Sequence, residues 1–143
     1  MSAESAPAQP YTRFFPAIAR VLLGLLFFVF GLNGFLNFIP PPPPEQLPKA
    51  LVEFSEAMVK SGFLFQLVKG TEVVAGLLLL TNRFVPLALA ILAPVIVNIM
   101  LVHVLLAPSG AGMAVVIAAL ELYLAWAYRA AFRPMLAARV SPA

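Results

Sequence analysis

Long apolar runs, separated by short stretches rich in proline, glycine or charge, make up most of this chain. Residues 17–39 are apolar, and 21–39 carry no charge, which at about 1.5 Å per residue is enough to cross the roughly 30 Å hydrocarbon core of a bilayer. The run exceeds the roughly 7 to 15 apolar residues of a signal peptide and no A-x-A-like site follows it, so it reads as an uncleaved anchor helix. Further runs over 63–80, 84–107 and 112–128 predict three more crossings, the last near the lower length limit. The links 81–83 and 108–111 are too short for anything but an antiparallel return. The expected architecture is all-α, an integral membrane antiparallel four-helix bundle forming a single domain over 17–129.

Between the first two crossings the pattern changes. Prolines occupy 40–44 and predict a stop to the first helix followed by a stiff extended spacer. Leu47, Leu51, Phe54 and Met58 then recur at helical spacing, while Lys49/Glu53 and Glu56/Lys60 form pairs four apart on other faces. Pro48 suits the first turn and Gly62 a C-terminal stop. This segment, 48–61, is too short and too charged to cross, and reads as an amphipathic helix on the membrane surface capping the bundle. Residues 1–16, polar and proline-bearing, predict a disordered cytoplasmic tail, and 130–143 a second tail. Pro94 lies inside the third crossing, where it frees the carbonyl of Ala90 and predicts a kink.

Composition agrees with lipid as the solvent: 62% of residues are hydrophobic and 10% charged, with mean hydropathy +0.99, against about 25% charged in a soluble domain. Cysteine is absent, which excludes disulfides, thiolate metal sites, iron–sulfur clusters and covalent haem. A single histidine excludes bis-histidine haem, and the absence of Asp leaves little from which to build a calcium or magnesium site, so no metal is expected. The net charge is +3, but the basic residues are thinly spread, an arrangement unsuited to nucleic acid. Arg13, Arg20, Arg83, Arg129, Arg133 and Arg139 fall on one side of the expected bundle, and Lys49 and Lys60 on the other. The positive-inside rule then places both termini in the cytoplasm, for a bacterium across the inner membrane, with the proline run in the periplasm. Tyr123, Trp126 and Tyr128 suit an interfacial aromatic belt.

Polar residues inside the crossings are the candidate chemistry. Counted inward from the outer helix ends, Glu72, Asn98 and Glu121 lie about nine residues deep, roughly 13 Å at helical rise, with Asn33, Lys69 and His103 about a turn above. A charge facing lipid costs about 2.5 to 3.5 kcal/mol on insertion scales, so these groups are expected to turn inward and to converge from all the crossings in the outer half of the bilayer. Lys69 and Glu72, three apart, share a helix face and can neutralise each other or recruit Glu121 and His103. Ala114, Ala118 and Ala125 share a face with Glu121, and Gly76 follows Glu72 by one turn, which puts both carboxyls on close-packed seams. Asn33, Lys69, Glu72, Asn98, His103 and Glu121 are therefore candidates for ligand binding or proton exchange, with no catalytic residue among them. The same residues also fit plain structure: an ion pair between helices, an interfacial histidine, and asparagines bridging helices. Asn37 fits a helix cap. Phe27, Phe28, Phe30, Phe35 and Phe38 fit packing, or the flanks of a flat aromatic ligand.

The order of these motifs resembles a known family. Arg20-Val-Leu-Leu-Gly24, Gly31-Leu-Asn33-Gly34-Phe35, Lys69-Gly-Thr-Glu72-Val-Val-Ala-Gly76, Arg83-Phe-Val-Pro86, Ala93-Pro94-Val-Ile-Val-Asn98, His103 and Glu121-Leu-Tyr-Leu-Ala-Trp126-Ala-Tyr128-Arg129 together resemble the DoxX family of small four-helix membrane proteins, over roughly 17–133. The family takes its name from membrane subunits linked to thiosulfate:quinone oxidoreductase and quinol oxidase systems. The resemblance thus implies a quinone link and a redox-enzyme partner subunit, with this chain at most a non-catalytic subunit of an oxidoreductase. Many members carry a basic residue where this chain has Gly34, and their glycine-rich, Asp-containing C-terminal signature is missing here. The expected role is an accessory subunit that binds a quinone or similar amphipathic molecule: Glu72, Glu121 and His103 exchange protons, Lys69 sets the carboxylate charge, and Asn33 and Asn98 orient carbonyls. A structural or assembly protein without a ligand stays open, as does a small-solute or proton carrier, although no internal repeat supports the latter. Membrane lipid is the expected surrounding partner, and a homodimer also stays open.

Overall fold

A computed structural model describes residues 11–143. The described regular structure is entirely helical: α1 (Tyr11–Leu36), α2 (Lys49–Lys60), α3 (Leu64–Leu80), α4 (Val85–Leu105), α5 (Ala111–Ala127) and the short α6 (Arg129–Phe132), with 3-10 turns at Pro44–Gln46, Pro108–Gly110 and Arg133–Leu136. Three segments, Arg13–Leu36, Val85–Leu105 and Pro108–Ala127, are long and apolar enough to cross a membrane, and α3 joined to α2 makes up to four. At 17 residues α3 alone is short, about 25 Å at helical rise. The chain is a multi-pass helical membrane protein.

The ends of α1 differ from expectation. The helix already runs at Tyr11, the first described residue, so the second part of the expected disordered tail is helical, and its first ten residues lie outside the described part. Pro16 sits inside these opening turns, where it removes one ladder bond without ending the helix. Nor does the proline run end α1, which stops at Leu36 instead of 39. Asn37 takes a left-handed φ of 49°, its N–H donates to the carbonyl of Asn33 at 2.9 Å, and the Asn33 side-chain oxygen accepts from the N–H of Ile39 at 2.7 Å. The left-handed turn at Asn37 thus ends the helix, and the Asn33 side chain ties down the backbone just beyond it at Ile39. The expected second tail is also partly helical, through Leu136.

After α2, Gly62 supplies a φ of 79°, and Ser61 Oγ accepts from the N–H of Leu64 at 2.9 Å. The chain turns so sharply there that α2 and α3 meet at 92°, which lays α2 across the end of α3. The expected pairs form along its exposed side, Lys49–Glu53 at 3.6 Å and Glu56–Lys60 at 3.7 Å, each worth about 0.3 to 0.5 kcal/mol.

The long helices close a ring of neighbours: α1 packs most extensively on α3, α3 on α4, α4 on α5, and α5 back on α1. Between α1 and α3 the contacts run in opposite order, with Gly24 beside Leu79 and Leu80, Gly31 beside Glu72 and Val73, and Gly34 beside Lys69, so these two helices are antiparallel. Close approach holds the pair together: a Cβ on Gly76 would lie 2.6 Å from the backbone nitrogen of Phe28. Leu23, Leu79, Leu89, Leu92 and Leu124 fill the centre and are fully buried. Leu25, Val97, Leu101 and Leu122 point outward. Because lipid tails are as apolar as leucine, dispersion between well-fitted surfaces, not expulsion of water, is what holds such a core.

Candidate ligand cavities around Lys69 and Glu72

The polar centre starts with one turn of α3. Lys69 Nζ donates to Glu72 Oε2 at 2.8 Å, and Glu72 is only 4% exposed. The three-residue spacing places both groups on one face, and that face meets α1 where its side chains vanish. A Cβ on Gly34 would fall 2.5 Å from Lys69 Cγ, and one on Gly31 would fall 3.0 Å from Glu72 Cβ. The two α1 glycines therefore make room for the lysine stem and the carboxylate. Gly34 leaves that space to a lysine from the neighbouring helix.

His103 approaches from α4. Its Nδ1 lies 2.8 Å from the carbonyl oxygen of Ile99, one turn back. A carbonyl only accepts, so Nδ1 carries the hydrogen and, in the neutral ring, Nε2 is left as the acceptor. Gly110 packs against this ring, and a Cβ there would come within 2.8 Å of Nε2.

Two cavities meet at these residues, and Lys69, Glu72, Ile99 and His103 line both. The first, about 360 Å³, is closed by α1 through Leu26, Phe27 and Phe30 and by α5 through Met113 and Ile117. The second, about 300 Å³, lies between α3 and α4 and is covered by α2, whose Leu51, Phe54 and Met58 face it together with Ser55. Both reach the lower end of the roughly 300 to 1,000 Å³ range of small-molecule sites. The helix α2 is thus a wall of the second cavity, and its apolar stripe is spent there.

The candidate residues do not all converge. Lys69, Glu72 and His103 come together, and Asn98, although exposed overall, lines the second cavity. Asn33 lies apart: its amide is engaged with Ile39, because the end of α1 needs a cap more than the cavity needs a donor. Glu121 is buried in α5 at 8% exposure but lines neither cavity, and its Oε2 has no hydrogen-bond partner among the described residues. Position along each helix was legible, whereas the direction in which a residue faces depends on packing that position does not encode. Ser55 and the space-making glycines Gly31, Gly34 and Gly110 were not anticipated. The Gly31-x-x-Gly34 spacing, opposite a charged turn, is the signal that could have found two of them.

Chemically the arrangement offers an ammonium donor, a carboxylate, an imidazole acceptor and an amide set in apolar walls. Lys69 spends one of its three N–H groups on Glu72 and keeps two for a ligand. These residues fit a flat ring bearing oxygen atoms and an apolar tail. The family model described as DoxX matches residues 15–105, from α1 to the end of α4; α5, with Glu121, lies beyond the match. No curated protein and no solved structure matches the chain.

Proposed function

Since the chain belongs to the DoxX family, we propose that it is an accessory membrane subunit that holds a quinone, or a similar amphipathic small molecule, between α1, α3, α4 and α5. The observation that carries this reading is the pair of apolar cavities sharing Lys69, Glu72 and His103. Such a group, when bound, supplies reversible electron and proton uptake. Lys69 would donate to a ring oxygen and His103 Nε2 would accept from a ring hydroxyl, while Glu72 would hold the lysine through Oε2 and exchange a proton through its other carboxylate oxygen. Asn98 donates from the α4 wall. Glu121 and Asn33 have no part in this site. α1, α3, α4 and α5 each cross the bilayer, antiparallel in sequence order. The arginine-rich ends, with both termini, face the cytoplasm of a bacterium, and α2 covers the outer surface. A redox enzyme in the same membrane is the partner.

The test is saturable binding of decylubiquinone to protein purified into lipid discs. Wild type binds and Glu72→Gln, which keeps the volume but leaves Lys69 uncompensated, binds about tenfold more weakly. Absence of saturable binding, or equal affinity in the variant, overturns the proposal. One observation favours a structural reading: Lys69 and Glu72 satisfy each other at 2.8 Å. If Lys69→Met combined with Glu72→Met folds and still supports the partner enzyme in cells, the pair is structural and the ligand role fails.

A further inference from the structure

At the opposite end of the α1–α3 pair lies a third polar cavity that the quinone reading does not use. It measures about 350 Å³ and is walled by the first turns of α1, the α3–α4 turn and the end of α5, with Arg13, Arg20, Asn82 and Tyr128 as its polar lining. We propose that this cavity binds the phosphate headgroup of an anionic phospholipid. Arg13 and Arg20 stand seven residues apart, two turns on one helix face, and Pro16 and Ala17 between them line the same cavity. Arg20 donates one N–H to the carbonyl of Leu79, which fixes its guanidinium near the mouth and leaves the remaining donors of the fork. Among the described residues no carboxylate lines the cavity. Two guanidinium groups with no counter-charge lining the cavity among the described residues, at the edge of a low-dielectric bundle, call for an anion, and phosphate oxygens match the arginine fork in bidentate fashion. Asn82, whose φ of 55° lies in the left-handed region, and Tyr128 add neutral donors from two other elements.

A membrane lipid is favoured over a free anion because exposed apolar side chains flank the arginine turns: Phe14 and Ile18 on α1, and Trp126 two residues before Tyr128. They offer acyl chains a surface contiguous with the headgroup pocket, as at basic pockets between membrane helices generally.

Native mass spectrometry of the full chain with phosphatidylglycerol or phosphatidylcholine tests this. The expected result is a single retained phosphatidylglycerol, bound about tenfold more tightly than phosphatidylcholine. Arg13→Gln with Tyr128→Phe is expected to bring the two lipids close to parity, whereas Arg139→Gln, which lies outside the cavity, preserves the preference. Helicity by circular dichroism checks the fold, and if the double variant loses it, Arg13→Gln alone carries the same readout. A preference untouched by the cavity variants, or lowered equally by Arg139→Gln, overturns the site in favour of diffuse attraction. Displacement of the lipid by millimolar inorganic phosphate overturns the lipid assignment in favour of a soluble anion.

Discussion

The two ends of the α1–α3 seam use the same residue type for opposite purposes. Toward the arginine-lined end, Gly24 and Gly76 bring backbone against backbone, and the surrounding Leu23, Leu79, Leu92 and Leu124 leave no exposed area. Toward the other end, Gly31 and Gly34 yield their space to a lysine stem and a carboxylate, and two cavities open beside them. Glycine close packing therefore does not by itself mark a dry interface. What the opposing helix places against it, backbone or a flexible polar side chain, decides whether the seam is rigid core or adaptable site. Glu121 lies between the regimes, a turn beyond the cavity-lining Ile117 and just before the buried Leu124, and belongs to neither.

The largest test of this contrast removes one charge from the adaptable end. Lys69→Met leaves Glu72 buried without its cation and is expected to cost about 3 to 5 kcal/mol of unfolding free energy, with most of it recovered in the double variant with Glu72→Met. Denaturant unfolding in detergent measures both, and a loss no greater than that of the lipid-facing Leu67→Ala would show that the pair is not desolvated. At the rigid end, Gly76→Ala drives a Cβ to 2.6 Å from the backbone of Phe28. Overpacking is expected to cost about 1 to 3 kcal/mol. Gly70→Ala is the control, since its Cβ would meet nothing within 4 Å, and it is expected to gain about 0.5 to 1 kcal/mol from helix propensity alone. If the two alanine variants behave alike, backbone contact is not what holds the seam.

Much of this fold was written in local pattern. The apolar runs gave the long helices and the period-3.6 stripe of Leu51, Phe54 and Met58 gave α2, which turns by 92° into α3. Their ends were less legible: α1 stops at Leu36, where Asn37 turns left-handed and the Asn33 side chain bonds the backbone of Ile39, before the conspicuous proline run is reached. The Lys69–Glu72 pair follows from spacing on one helix and needed no tertiary information. The meeting of His103 with that pair, and the separation of Glu121 from it, depends on helix rotation within the ring, which residues with similar apolar character on every face leave undetermined. The lipid-facing sides of α4 and α5 are as apolar as their cores, so neither helix announces which face turns inward.

The smallest expected effect on stability is also the most discriminating. Gly34→Ala places a Cβ 2.5 Å from Lys69 Cγ and 2.7 Å from its Cδ, a clash as close as that at Gly76 but against a chain that can rotate. Moving the stem off its rotamer costs about 0.5 to 1.5 kcal/mol, and alanine in place of glycine in a helix returns about 0.5 to 1 kcal/mol. The two nearly cancel, so the melting temperature of Gly34→Ala is expected to stay close to wild type. The lysine cannot move without shifting Nζ, however, which holds Glu72 at 2.8 Å, and both residues line the two cavities. Binding of decylubiquinone is therefore expected to weaken several-fold in a protein of unchanged stability. A loss of stability equal to that of Gly76→Ala would mean that the lysine stem is packed as rigidly as backbone, and the division of the seam into core and site would fail.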